Sequence, residues 1–273
     1  MTFFICPLCQ CSFHKINNTQ ICENNHHFDI AKEGYLNLLP VQSKSSKNPG
    51  DNKEMMSARR AFLNTGGYLP LAQKVSDISA LYLKNVKQAH ILDLGCGEGY
   101  YTHCIEQQFK NQQHYIYGID ISKVAIRYAS KRYQNISFCV ASAYQVPLPS
   151  HSLDLVIRIY APSKAEELDR LIKKEGFLIT VTPAPRHLHQ LREIIYDNVN
   201  EHAEENAAIN NFTKIEKIRL NYQLPIEQPS QLYDLISMTP FAWKFTPEKL
   251  AQLDKQAITH IECDFNIEVF QKD

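Results

Sequence analysis

The run Ile-Leu-Asp-Leu-Gly-Cys-Gly-Glu-Gly-Tyr-Tyr-Thr, residues 91–102, decides the fold. Its first four residues read as a short buried strand, and three of the chain's nine glycines follow at once, at Gly95, Gly97 and Gly99. A strand that ends in a glycine-rich turn and passes directly into a helix offers backbone N–H groups and close approach to a ligand. Nucleotide cofactors of several kinds use such a turn, so by itself it leaves the cofactor open.

Outward from this turn, apolar or β-branched runs at 91–94, 115–119, 136–140, 153–159 and 177–181 alternate with amphipathic stretches at 100–109, 123–133 and 164–173. That rhythm predicts an α/β fold, a parallel sheet with helices on both faces. Upstream, 54–71 reads as a helix, a turn at Gly66-Gly67 and a second helix, preceded by an exposed polar loop at 43–50. Beyond Thr182 the alternation stops. Helices are expected near 187–203, 229–237 and 247–257, and a last strand at 263–270.

Four of the eight cysteines fall within the first 22 residues. Cys6-Pro-Leu-Cys9 and Cys22-Glu-Asn-Asn-His26 each supply two ligands at the spacing of half a tetrahedral zinc site, and the twelve residues between them leave room for a hairpin. A segment this short needs a staple to fold. Disulfide or unligated thiols are the competing readings; no basic region followed by an apolar stretch opens the chain, so a reducing, cytoplasmic setting is expected. Cys11, His14 and His27 lie close enough in sequence to replace a ligand, His27 for His26 in particular. Cys96, Cys104, Cys139 and Cys263 sit among apolar neighbours and read as core.

Two details sharpen the glycine turn. Its spacing is G-x-G-x-G, and Asp93 stands two residues before the first glycine; both resemble motif I of class I S-adenosylmethionine-dependent methyltransferases. The next strand ends at Asp120, where a ribose diol would lie. Ser142-Ala143, after the third strand, falls where the adenine is usually faced.

The balance of 29 basic against 29 acidic residues excludes a globally polycationic nucleic-acid binder, but not a local basic patch. Residues 1–75 carry a net charge of +3 and the remainder −3, which places the positive field on the cysteine-rich segment. No apolar run approaches the roughly 18 residues of a membrane helix.

Over essentially its whole length the sequence resembles the bacterial 23S ribosomal RNA guanine-N1 methyltransferases. The resemblance is carried by Cys-Pro-Leu-Cys at 6–9, Phe-Asp-Ile-Ala-Lys-Glu-Gly-Tyr-Leu-Asn-Leu-Leu-Pro at 28–40, Pro-Gly-Asp at 49–51 and Met-Met-Ser-Ala-Arg-Arg-Ala-Phe-Leu at 55–63. It continues through the glycine turn, Ile-Arg-Ile-Tyr-Ala-Pro at 157–162 and Thr-Pro-Phe-Ala-Trp at 239–243. What it implies is a class I (Rossmann-like), mostly parallel seven-stranded sheet behind a small zinc module. The implied division is 1–38 for zinc and RNA recognition, 39–88 covering the cofactor site, and 89–273 as the methyltransferase domain, with a substrate-side insertion around 184–257.

The implied activity is S-adenosylmethionine-dependent methylation of guanine N1 in a 23S rRNA hairpin near the peptide exit tunnel, by a homodimer holding one structural Zn²⁺. The resemblance makes Cys6, Cys9, Cys22 and His26 the metal ligands. It adds Tyr68, Tyr101, Thr102 and His187 to Asp93, Gly95, Gly97 and Asp120 as cofactor contacts. At the end of the fourth strand, Arg158 and Tyr160 are the catalytic candidates, Arg158 to steady charge on O6 and Tyr160 to stack on an extruded base; a structural ion pair and a pocket wall are the plainer readings. Asp154, before the strand's core, is a weaker candidate base. Two other functions compete: methylation of a small metabolite with the zinc purely structural, and a non-catalytic RNA-binding relative.

Overall fold

The computed structural model describes residues 2–40, 53–196, 208–256 and 258–273. The loop expected at 43–50, the Pro-Gly-Asp motif and the carboxyl half of the helix expected at 187–203 lie outside the described residues.

The chain begins with a three-stranded antiparallel sheet of β1 (Phe13–Ile16), β2 (Thr19–Cys22) and β3 (His27–Asp29). The short strand β4 (Leu36–Asn37) precedes two helices, α1 (Lys53–Asn64) and α2 (Leu69–Leu83). Alternation follows: β5 (His90–Leu94), α3 (Tyr100–Gln108), β6 (Tyr115–Asp120), α4 (Lys123–Arg132), β7 (Ser137–Val140), β8 (Leu153–Ile159), α5 (Ala165–Leu171) and β9 (Ile172–Pro183). The chain closes with α6 (His189–Ile195), β10 (Phe212–Pro225), α7 (Pro229–Ser237), α8 (Pro247–Lys255) and β11 (His260–Lys272).

The main sheet runs β10-β11-β9-β8-β5-β6-β7-β4. Its first seven members are the expected seven-stranded sheet, parallel except for β11, which is antiparallel to both neighbours. β4 adds an eighth, pairing Leu36 with Cys139 and Asn37 with Val140. Successive strand residues point to opposite faces. Ile91, Ile157 and Ile179 join one core with α2, α3 and α4, whereas Leu92, Val156 and Leu178 join another with Leu168 and Leu171 of α5. Phe4, Cys6, Phe13 and Cys22 belong to that second core, so the cysteine-rich segment helps cover the sheet.

Two expectations change. The strand expected at 177–181 is twelve residues long and begins at Ile172, which ends the helix expected to reach 173. β10, absent from the sequence reading, pairs with β11 from Phe212↔Lys272 to Pro225↔His260; the region around 184–257 therefore contains a structural strand and not only an insertion. β4, just before residue 38, also pairs into the main sheet, so residues 1–38 reach that sheet at their carboxyl end. Among the described residues no helix is long and apolar enough to cross a membrane.

Candidate cofactor cleft and metal centre

β5 is flanked by β6 on one side and β8 on the other, so the connections leaving β5 and β8 diverge and open a crevice at the carboxyl edge. The glycine turn fills the floor of that crevice. Gly95, Gly97 and Gly99 have φ of +79°, +55° and +82°, values that L side chains resist. Gly95 is also sterically closed: a Cβ there would meet Cβ of Ala161 at 2.4 Å, showing how tightly the segment after β8 lies against the turn. Backbone N–H groups of Gly95 and Cys96 both donate to the Ile119 carbonyl at 2.9 Å, locking the turn onto β6.

The two acids flank the turn differently. Asp93 is buried, and its Oδ2 accepts a 2.6 Å hydrogen bond from the Thr102 hydroxyl. Burial raises its carboxyl to about 7, against the lowering by Thr102 and with a further push from Asp120. Asp120 accepts the N–H of Gly97 at 3.0 Å and that of Ser122 at 2.7 Å. These bonds fix the Asp120 carboxylate beside the glycine turn.

Above the turn lies an aromatic wall. Tyr68, at the start of α2, stands 6.3 Å from the ring of His187 and 5.3 Å from Phe265; His187 and Phe265 are 4.7 Å apart. Burial pushes the Tyr68 phenol well above its ordinary value, and Cys263, Tyr160, Tyr101 and Tyr222 are near enough to add to the effect. His187 uses Nδ1 to accept the Asp264 N–H at 3.3 Å. Tyr160 sits 6.1 Å from His187 with 46% of its surface exposed and φ of +54°, an uncommon conformation for a bulky residue that is concentrated at functional sites. Arg158 lies in register with Leu94 and donates to Ser163 Oγ at 2.8 Å.

Asp154 is at the opposite end of β8. It accepts the His90 N–H at 2.8 Å and pairs with Lys173 at 2.7 Å, which makes it a structural ion-pair partner. Ser142 is half-buried beyond β7, and its hydroxyl accepts the Tyr144 N–H.

Several residues at this cleft were missed in the sequence. Arg60 of α1 pairs with the buried Glu98 of the glycine turn at 2.7 Å and lies 4.2 Å over the Tyr128 ring. Phe265 completes the aromatic wall, and the Tyr222 hydroxyl donates to the Gly67 carbonyl at 2.8 Å. The alternation Lys217-Ile218-Arg219-Leu220-Asn221-Tyr222-Gln223-Leu224 was the signal that would have found β10 and Tyr222.

At the amino end, one ligand atom each from Cys6, Cys9, Cys22 and His26 lie within 4.8 Å of one another. Cys9 and Cys22 Sγ are 3.6 Å apart, and His26 Nδ1 is 3.5 Å from Cys6 Sγ and 3.3 Å from Cys22 Sγ. Two thiolates at about 2.3 Å from one tetrahedral ion are about 3.8 Å apart, so the donor set and spacing fit zinc. Two turns build the cluster, with Gln10 (φ +61°) and Asn25 (φ +58°) in the left-handed region. Cys11 accepts from Asn24 outside the group, His27 pairs with Asn25 at 2.9 Å, and His14 is exposed on β1.

Comparison with known proteins follows the same division. A zinc-ribbon model described as RlmA, N-terminal, matches residues 4–47, and a model described as methyltransferase domain matches residues 85–245. The chain is 30% identical to Bacillus subtilis YxjB, provisionally assigned as a 23S rRNA (guanine-N(1)-)-methyltransferase, over 99% of this chain and 98% of that one. It is 28% identical to the 23S rRNA (guanine(748)-N(1))-methyltransferase of Streptomyces fradiae, over 90% and 88% of the two chains. Among solved structures, that of MccD protein shares the fold, with a TM-score of 0.51, at 17% identity over 75% of this chain and 98% of that chain.

Proposed function

The chain belongs to the 23S rRNA (guanine-N1)-methyltransferase family, and from that premise we propose that it methylates N1 of one guanine in a 23S rRNA hairpin near the peptide exit tunnel, using S-adenosylmethionine. The observation that carries the reading is the presence in one fold of an intact glycine turn with its two acids and a four-donor metal cluster packed on the same sheet. In this reading residues 1–38 form the zinc module that grips RNA, 39–88 cover the cofactor, and 89–273 carry out the transfer. The working form is a homodimer in the cytoplasm.

Bound S-adenosylmethionine supplies a methyl carbon activated by its sulfonium. Asp93, Gly95, Gly97 and Tyr101 hold its methionine end, Asp120 its ribose diol, and Tyr68 and His187 close over it; Thr102 acts by fixing Asp93. Cys6, Cys9, Cys22 and His26 hold the zinc ion, which stabilises the module and takes no part in transfer.

Holding guanine N1 in line with the methyl carbon supplies much of the rate, since orientation and avoided solvent reorganisation are large terms. Tyr160, exposed beside the turn, stacks on the extruded guanine. N1 carries a proton at neutral pH, and its loss leaves negative charge shared with O6. Arg158, next to Tyr160's strand end, steadies that charge. With its proton released to solvent, N1 would take the methyl group that the bound cofactor supplies, the methyl's bond to sulfur being the one given up.

Incubating the protein with labelled S-adenosylmethionine and either naked 23S rRNA or a metabolite extract tests the reading. Label in the rRNA, located at N1 of guanine, is the expected result. Label in metabolites alone overturns it, and absence of S-adenosylmethionine binding by calorimetry would favour a non-catalytic RNA-binding protein.

A further inference from the structure

Trp243 is the most exposed large hydrophobic side chain among the described residues, with 79% of its surface in solvent. It is also the single tryptophan of the chain. Its turn is firmly built. Ala242 and Phe245 donate backbone N–H groups to Thr239 and Ala242 at 3.2 and 3.1 Å, and the flanking Thr239 and Phe245 are buried. A tryptophan ring held in water on an ordered turn forgoes a large apolar burial, which marks it as a surface for a partner.

Its surroundings narrow the partner. The Lys244 ammonium lies 5.3 Å from the Trp243 ring and 4.1 Å from the ring of Tyr196, itself 37% exposed. Two accessible aromatic faces around a fixed cation suit an unstacked base and its phosphate.

The turn also stands on the reaction side. β10 ends at Pro225 opposite His260, the first residue of β11, so segment 226–259 emerges from the carboxyl edge of the sheet. α7 packs on α1, whose Arg60 holds Glu98 of the glycine turn. Lys249 donates to the Ile195 carbonyl at 2.9 Å, tying α8 to the end of α6, the helix that starts two residues after His187.

We propose that Trp243 stacks on a base flanking the target guanine while Lys244 meets the neighbouring phosphate, so that the turn at 242–244 sets which guanine reaches Tyr160. This assignment rests on the rRNA reading above.

Because residue 243 is the sole tryptophan, emission excited at about 295 nm reports on this ring alone. Titration with unmethylated 23S rRNA transcript is expected to quench it and to shield it from iodide. Trp243→Ala should raise KM for the transcript about tenfold, within the range for loss of one base–aromatic stack, leave the Kd for S-adenosylmethionine unchanged, and hold kcat within about twofold. Trp243→Phe should recover most of the loss. Wild-type methylation with unaltered emission, together with a normal KM in Trp243→Ala, overturns the assignment while the rRNA reading stands. Emission that changes on diluting the protein without RNA, and not on adding RNA, assigns the ring to a contact between copies and likewise overturns it. Failure of the wild-type protein to methylate the transcript removes the rRNA reading and this inference together.

Discussion

The Thr102 hydroxyl donates to Oδ2 of Asp93 at 2.6 Å, joining the end of β5 to the first turn of α3 across the glycine turn. Thr102 is fully buried, so its side chain acts on the acid. The acid is thereby fixed in rotamer, yet burial still leaves its carboxyl near 7.

A pH dependence follows from that value. A carboxyl raised from 3.8 to about 7 by folding holds its proton in the folded state where the unfolded chain has lost it. Its contribution to stability is therefore complete below about pH 4 and is lost as pH rises through about 7. Cationic S-adenosylmethionine favours the ionised form, so cofactor affinity should rise through the same window and binding should release a proton. Calorimetry at about pH 6.5 in two buffers of different ionisation enthalpy measures this release; identical apparent enthalpies would remove Asp93 from the cofactor's charge environment. Asp93→Asn should abolish the release.

Two glycines of the turn should respond unequally. Gly95→Ala meets both a left-handed φ of +79° and Ala161 at 2.4 Å, whereas Gly97→Ala meets φ of +55° with nothing nearer than Arg59 Nη1 at 3.6 Å. The first should lose about 2–4 kcal/mol and the second about 1–2 kcal/mol. Urea unfolding of both variants decides it, and equal losses would mean that the Ala161 contact relaxes without cost.

Arg60 and Glu98 couple α1 to the turn. Arg60→Ala leaves a carboxylate with 2% side-chain exposure without its cation and should cost about 2–3 kcal/mol. Adding Glu98→Gln should restore part of the loss, because the stranded charge is gone. A double-mutant cycle showing simple additivity would place the two residues in independent roles.

Removal of zinc should act on RNA before cofactor. Cys22→Ser is expected to lower zinc stoichiometry and RNA affinity, with a smaller effect on S-adenosylmethionine binding at the carboxyl edge. Thermal stability should fall as well, because Phe4, Cys6, Phe13 and Cys22 share a core with Leu92, Tyr117 and Val156, and Ile5 donates to the Pro147 carbonyl at 3.0 Å. Equal loss of both affinities would mean that the module supports the whole fold.

Legibility in the sequence followed the range of the interactions. The turn at 95–99, the strand before it and the helix after it are local: three glycines at positive φ and one buried apolar run suffice to specify them. The half-sites Cys6/Cys9 and Cys22/His26 are equally local, since ligand spacing is set by a single turn each. By contrast β10 was hidden. Its alternation was present, but its outward face is polar and only its thirteen-residue partner β11 gives it a place in the sheet.

The sequence by itself determined the class of fold, the glycine turn, the presence of a four-donor metal cluster and the family resemblance, because each depends on residue type at short spacing. Tertiary structure alone decided that Thr102 serves Asp93, that Arg60 reaches 38 positions to Glu98, and that Tyr68, His187 and Phe265 form one wall. It also decided that the cysteine-rich segment shares the core of the sheet it precedes. Apart from the Thr102–Asp93 bond across the turn, those are contacts between distant parts of the chain, fixed by the order of strands and the packing of their faces, which no local pattern encodes.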